Sequence, residues 1–258
     1  MGKPFVVALA FLALISGVYA SEIGVSPSRV DLQATPGSTV TESIDLISNS
    51  TTTEHVTVHV SDWTLSPTGK LQFLSNGSAE YSSRSWLQPE AMALDLPPNS
   101  TVPFRFSLEV PSDSALDGTY HAMLVFDIGA AAPALNGKVQ MSVTTAIGVA
   151  VYVSISGTER PKAQLSDMYL GDNGALAVVL SNEGNTLVRI TGAIEFRDRD
   201  GKTLATQSVD DIPVLRGSQR EVDVPVPKSL TSGYYVALAL LHDRQGATLS
   251  GQLPIQVP

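Results

Sequence analysis

The sequence predicts an all-β protein built from two immunoglobulin-like β-sandwich domains in tandem. Short segments with apolar residues at alternate positions recur along the chain, as expected where side chains alternate across a strand. Clusters of Pro, Gly and Asn separate these segments at intervals typical of sandwich proteins. No stretch after the first twenty residues has the period of an amphipathic helix.

Seven strands are predicted in each half of the chain. In the first half they cover residues 24–32, 40–48, 54–63, 92–96, 100–110, 118–127 and 139–155. In the second half they cover residues 163–170, 175–181, 190–198, 203–208, 219–226, 233–243 and 251–257. A polar stretch with Pro161 lies between the halves, so we expect a first domain over 21–157, a linker over 158–162 and a second domain over 163–258.

The first twenty residues have the features of a secretory signal peptide. Lys3 precedes an apolar run over residues 5–15, and small residues lead up to Ala20. The run is short for a membrane span, so we expect cleavage after Ala20 and no stable membrane insertion. The alternative is an uncleaved N-terminal anchor.

Composition indicates an exported protein of the bacterial envelope. The chain has no cysteine, whereas secreted animal sandwich domains are commonly held by disulfides. The formal net charge is -9, and it becomes -10 once Lys3 leaves with the signal peptide, so a nucleic-acid partner is not expected. These features favour a periplasmic location and leave an extracellular one open.

The residues that could carry catalysis or bind a metal do not form a recognisable motif. There is no thiol, no Gly-x-Ser-x-Gly turn and no phosphate-binding loop. His55 and His59 share a strand face but lie about 13 Å apart, too far for one metal ion. Asp198, Asp200, Asp210 and Asp211 are interpreted as turn residues rather than as a calcium site. We therefore predict a non-enzymatic protein without cofactor or metal.

Two tryptophans and one irregular region are less informative. Trp63 and Trp86 are expected to pack in a core or between sheets, with sugar binding as a remote alternative. Residues 67–89 form either a surface hairpin around 70–74 or a loop over one end of a sandwich.

The most informative segment covers residues 139–155. Its odd positions are apolar except Thr145, and its even positions are small or polar. A typical strand has about 5–6 residues, so this ladder is longer than one sandwich needs. It predicts an apolar strand edge available to a partner, or to a second copy of the chain.

Several segments follow one another in the order found in one known family. They cover residues 25–32, 43–49, 96–108, 119–126, 139–155 and 182–186. In their order and spacing the chain resembles the periplasmic pilus-assembly chaperones of the PapD-like superfamily. The resemblance implies two sandwiches that meet in an L shape, and a long strand that lends alternate apolar side chains to an incomplete pilus subunit.

This resemblance also implies the site residues. The donor face would consist of Val139, Met141, Val143, Ile147 and Val149, and the partners would be exported subunits of a surface appendage. Arg29 matches the first-strand arginine that holds the carboxyl terminus of the subunit. The lysine expected beside it is absent, since no basic residue lies between Gln140 and Ser156.

Three alternatives stay open at this point. Arg29 could be a structural cation at the domain junction rather than a ligand of the subunit. Residues 149–155 could fill the first-domain core, which would leave only Val139, Met141 and Val143 for a partner. The whole chain could be a structural or adhesive envelope module, while an enzyme would need a cleft that gathers His121 or His242 with carboxylates.

Overall fold

Strands make up nearly all regular structure of the protein. The computed structural model describes residues 23–129 and 145–257. Its only helical element among these residues is one 3-10 turn, Arg84–Trp86, which confirms the predicted all-β class. No helix in the described ranges is long and apolar enough to cross a membrane. The predicted signal peptide and three predicted donor residues, Val139, Met141 and Val143, lie outside them.

The first sandwich packs a four-stranded sheet against a five-stranded sheet. Their strand orders are β1-β3-β9-β7 and β2-β11-β10-β4-β8. The strands of this half are β1 (Ile23–Ser26), β2 (Arg29–Ala34), β3 (Thr39–Ser48), β4 (Glu54–Ser61), β5 (Trp63–Leu65), β6 (Leu71–Phe73), β7 (Leu87–Pro89), β8 (Ala93–Leu96), β9 (Ser100–Glu109), β10 (Thr119–Ile128) and β11 (Thr145–Ile155).

Alternation along the strands produces the core between these sheets. In β9, Phe104, Phe106 and Leu108 are buried while the residues between them are more exposed. Phe104 meets Phe126 of the opposite sheet edge to face, with ring centroids 5.2 Å apart. Trp86 lies in the same core, as expected.

One predicted strand divides into two. The sequence predicts a single strand over 24–32, but β1 pairs with β3 in one sheet and β2 pairs with β11 in the other. The change of sheet occurs at Pro27, which has no N–H to donate to a ladder. The split places Arg29 at the start of β2, on the sheet that faces the second domain.

The irregular region contains a hairpin that reaches the second domain. Strands β5 and β6 pair with each other and form a two-stranded sheet of their own. At the turn, Pro67 O accepts a 2.7 Å hydrogen bond from the N–H of Glu221. Gly69 has φ +85°, a conformation that glycine adopts without strain, and its backbone packs against the guanidinium of Arg220.

The second sandwich packs a three-stranded sheet against a four-stranded sheet. Their orders are β12-β13-β16 and β15-β14-β17-β18. The strands are β12 (Ala163–Leu170), β13 (Leu176–Asn182), β14 (Val188–Arg197), β15 (Thr203–Val214), β16 (Gln219–Val224), β17 (Gly233–Asp243) and β18 (Thr248–Val257). Strands before Ser156 pair only with one another, as do those after Lys162, so two sandwiches result.

Asn185 connects the two sandwiches and the segment between them. Its carbonyl oxygen accepts a hydrogen bond from the N–H of Thr119, and its side-chain oxygen accepts one from the N–H of Arg160. Its amide nitrogen donates to the carboxylate of Asp117 and to the carbonyl oxygen of Thr158. Four bonds from one buried residue restrict how the domains rotate about the linker.

An apolar cluster seals the contact between the domains. We call it the junction cluster: Trp63, Met123, Val125 and Tyr152 of the first domain against Leu215 of the second. His121 lies at its edge, with its ring centroid 5.1 Å from that of Trp63. Trp63 therefore packs between domains rather than between the two sheets of one domain.

Leu215→Ala should weaken the contact between the domains more than it weakens either core. Removing a buried leucine side chain costs about 2–5 kcal/mol, and the loss here falls on the junction cluster. Thermal unfolding should then separate into two transitions where the wild type shows one. Leu204→Ala, at an exposed leucine, is the control, and one unchanged transition in Leu215→Ala would contradict the prediction.

The free energy of unfolding should fall as the pH drops below about 6.5. Burial lowers the pKa of His121, whose Nε2–H donates to the carbonyl oxygen of Trp63 at 3.0 Å. The unfolded chain then binds the proton more readily, so the stabilisation present above pH 6.5 is lost on acidification.

Denaturant titrations from pH 8 to pH 5 measure this effect. His121→Gln should flatten the dependence, because the substituted side chain does not titrate. His242→Gln, at an exposed histidine, should keep the wild-type slope. Equal slopes in all three proteins would show that His121 does not control acid stability.

Candidate functional site: an arginine cleft and a one-sided strand

A cleft of about 540 Å³ opens where the two domains meet. Strands β2 and β11 form its first-domain wall, and β14 with the turn after β17 forms the other. Its lining includes Asp31, Tyr152, Arg189, Arg244 and Gln245. Charged and aromatic groups from both domains therefore face one space.

Three arginines converge beside this cleft on a single carboxylate, Asp211 of β15. Nη1 of Arg29 and Nη1 of Arg189 each lie 3.1 Å from Oδ2 of Asp211. Nη2 of Arg244 lies 2.9 Å from Oδ1. We call these four residues the arginine cluster.

A β-bulge directs Asp211 into the cluster. Ile190 of β14 pairs with Ile212, but Gly192 pairs with Val209, so two β15 residues oppose one residue of β14. Asp211 has φ +46°, a conformation that Asp tolerates better than most residues. Such bulges re-aim side chains, which explains how Asp211 reaches the first domain.

Arg189 is the most enclosed cation of the cluster. Its side chain is 7% exposed, and its guanidinium lies over the ring of Tyr152 at 5.5 Å from the centroid. Its Nε is buried and has no hydrogen-bond partner within the described part of the chain. Burial raises the pKa of Tyr152 to about 12, so this ring stays neutral beside the cation.

The cluster carries an excess of positive charge. Asp31 adds a second carboxylate, 3.0 Å from Nε of Arg29, so three guanidiniums face two carboxylates. Burial alone would raise the pKa of Asp211, but the hydrogen bond from Arg29 and the charges of Arg189 and Arg244 hold it below its usual value. At neutral pH these guanidiniums can attract a further anion locally, while the carboxylate of Glu159 also lines the cleft.

The structure places the predicted residue Arg29 in contact with the opposite domain. The sequence left two roles open for Arg29, a structural cation at the domain junction or a ligand of a bound subunit. Its position is compatible with both, since it bridges the junction and also lies beside the cleft with a side chain that is 33% exposed. Arg189 and Arg244 were missed by sequence reasoning. The signal for Arg189 was one charge between Val188 and Ile190 in an apolar strand.

The aspartates that were interpreted as turn residues divide into two groups. Oδ1 of Asp198 accepts hydrogen bonds from the N–H groups of Asp200 and Lys202, as turn chemistry predicts. The interpretation was wrong for Asp210 and Asp211, which both lie within β15, and Asp211 joins the arginine cluster. No group of three metal-binding side chains occurs within residues 23–129 and 145–257.

One half of β11 has a neighbour among the described strands on one side only. Along residues 145–154 it pairs with β10, but β2 joins its other side only from Ala150 onward. The N–H of Ala150 donates to the carbonyl oxygen of Ser28 on that side. Because bonding direction alternates along a strand, the backbone groups of Gly148 and Ala146 face the same side. No described strand pairs with them there.

The predicted donor residues on β11 differ in their surroundings. Val149 is 0% exposed in the core of the first domain, together with Val151 and Val153. Ile147 is half-buried against the edge of that core. The apolar row predicted from Val139 to Val149 therefore enters the core at its end, while its beginning lies outside the described residues.

These two features have defined chemistry. The backbone groups of β11 that no described strand engages can hydrogen-bond an added strand, and arginines can hold a carboxylate through paired N–H donors. The edge and the cleft are adjacent because Ala150 pairs with Arg29 at the start of β2. One extended peptide could thus meet both features.

Comparisons with known proteins find similarity among solved structures alone. No family model matches the sequence, and no curated protein matches it. A chain in the chaperone–tip adhesin complex CsuC–CsuE of Acinetobacter baumannii is 13% identical, with 89% of this chain and 97% of that chain covered and a TM-score of 0.46.

Two further structures are similar over comparable lengths. The class 5 fimbriae chaperone CfaA is 13% identical, with 92% of this chain and 99% of CfaA covered and a TM-score of 0.47. A chain in the complex of SafA pilin with the SafB chaperone of Salmonella enterica is 9% identical, with 93% and 99% covered and a TM-score of 0.46.

Proposed function

We propose that this chain is an exported, non-enzymatic chaperone that binds strand-deficient subunits of a surface appendage by β-strand addition. The observation that carries the proposal is the one-sided half of β11, Thr145–Val149, beside the arginine cluster. The proposed location is the periplasm, reached after cleavage behind Ala20.

Backbone groups at an unpaired edge provide affinity for any extended segment. The N–H and C=O groups of Ala146 and Gly148 point to the side where no described strand pairs with β11, so pairing with a further strand would satisfy them there. An exposed edge is also a risk, since it can pair with another copy of the chain. A subunit that lacks a strand is the partner that gains most from this edge.

Side chains on β11 would provide selectivity. Ile147 continues the line of Val149 and Val151 beyond the core, and the proposed donor face extends through Val143 and Met141 to Val139. In this arrangement Val149 anchors the strand in its own domain. The residues before it would fill alternate pockets of the partner.

The arginine cluster would fix the register of the bound strand. A chain-terminal carboxylate that enters the cleft can accept hydrogen bonds from Arg29, and Arg189 supplies the second cation that the first domain lacks. Anchoring one end of the strand sets which side chains meet Ile147. Length and sequence of the subunit terminus would then both matter.

Ala146→Pro should abolish capture of a subunit while the protein stays folded. Ala146 is exposed and its N–H points to the side where no described strand pairs with β11, so proline removes a donor to the partner without removing a bond to β10. The assay isolates the protein from the periplasm of its native host and identifies a secreted subunit bound one to one. Ala146→Val keeps the N–H and should retain the complex.

Two results of this assay would contradict the proposal. Recovery of no subunit with the wild-type protein, or equal recovery with Ala146→Pro, would show that the edge of β11 does not bind a strand. A structural module would give the first of these results.

Arg29→Ala should weaken binding of the captured subunit about tenfold, since hydrogen bonds to a charged group contribute about 1.5–3 kcal/mol each. The effect should vanish for a subunit whose terminal carboxylate is amidated. Arg105→Ala, at an exposed arginine of β9, is the control and should bind as the wild type does. A loss that is independent of amidation would assign Arg29 a structural role.

A further inference from the structure

The arginine cluster already contains a carboxylate that belongs to the protein itself. Both oxygens of Asp211 are engaged, one by Arg29 and Arg189 and the other by Arg244. Two of these arginines line the cleft directly. A carboxylate that arrives from outside therefore meets guanidiniums that are already paired.

The backbone at Asp211 is built to bring this carboxylate to the arginines. Its positive φ and the bulge opposite Thr191 are both unusual within a strand. Without the extra residue, the side-chain alternation of β15 would differ beyond this point. Asp210, its neighbour, is exposed and accepts a hydrogen bond from the hydroxyl of Ser208. The bulge therefore brings the carboxylate of Asp211, rather than that of Asp210, to the arginines.

The cluster also has donors that Asp211 leaves unused. Nε of Arg189 is buried and finds no hydrogen-bond partner among residues 23–129 and 145–257, although buried donors are nearly always paired. Three guanidiniums carry fifteen N–H donors, far more than one carboxylate can accept. The site is therefore able to accept another oxyanion in addition to Asp211 or in its place.

We propose that Asp211 is an internal competitor that occupies the three-arginine site until the terminal carboxylate of a bound chain replaces it. This inference rests on the proposed function for the identity of the incoming chain. The exchange conserves charge, because one carboxylate leaves the arginines as another arrives. Half-exposure of the Asp211 side chain, at 40%, allows it to turn towards solvent.

Because Asp211 competes for the arginines, the cleft favours ligands that also pair with β11. A free carboxylate alone must displace Asp211, whereas a chain already paired with β11 presents its terminus at high local concentration. Asp211 thus reduces occupation of the cleft by small anions, and an internal chain segment brings no terminal carboxylate to displace it.

Acetate tests the competition without any strand. The probe is sodium acetate, with sodium chloride at equal ionic strength as reference, and the readout is the Nε–H resonance of Arg189 in ¹⁵N-labelled protein. Asp211→Asn keeps the shape and tolerates the positive φ, but its amide cannot compete as an anion. It should bind acetate about tenfold more tightly. In the wild type, acetate binds only those molecules whose arginines are free of Asp211, and its apparent affinity falls in proportion to that fraction.

A matched variant and a second substitution complete the test. Asp210→Asn makes the same charge change one residue away and should bind acetate as the wild type does. Asp211→Gly relieves the positive φ and should reproduce the tighter binding. Acetate affinity unchanged in both Asp211 variants, or lower than in the wild type, would overturn the inference and leave Asp211 as a structural bridge.

The acetate result and the capture result are independent. Tight acetate binding in Asp211→Asn without any captured subunit would support the competitor and refute the proposed function. Capture that depends on Ala146, combined with unchanged acetate affinity, would support the function and refute the competitor. Circular dichroism and the thermal midpoint of each variant confirm that differences arise in folded protein.

Discussion

The apolar contact between the domains determines the geometry of everything near the proposed site. Leu215 of the second domain packs against Trp63 and Tyr152, and Asn185 adds polar bonds on the linker side. With this contact in place, β14 and β15 lie beside the start of β2, and side chains 182 residues apart in sequence form an ion pair. The cleft is therefore a product of domain packing rather than of either sandwich alone.

Tyr152 shows how one strand serves several purposes. On one face of β11, Val151 and Val153 fill the first-domain core. On the other face, Tyr152 contributes to the junction cluster and lies under the guanidinium of Arg189. Further towards the beginning of the same strand, no described strand lies on one of its sides. The residues of β11 thus contribute in turn to the edge, to the first-domain core and to the domain contact. A shift in the register of β11 would disturb all three.

The sequence was sufficient for the fold class and for most strands, because alternation of apolar residues directly reflects burial. It was insufficient for β5 and β6, whose three-residue strands include the exposed Leu71 and Phe73 and so lack that pattern. Arg29 was found through resemblance to a known family. Its partner Asp211 could not be found, because a bulge changes which side chains face inward and leaves no mark in the local composition.

The distribution of charge along the chain adds a kinetic consequence. The protein carries a formal net charge of -9, yet two guanidiniums line its interdomain concavity and a third lies beside it. A negatively charged partner would be repelled at long range and attracted only within about one Debye length, roughly 8 Å at physiological ionic strength. Added salt should then accelerate its first encounter with the protein while it weakens the final contact, so association and dissociation would respond to ionic strength in separable ways.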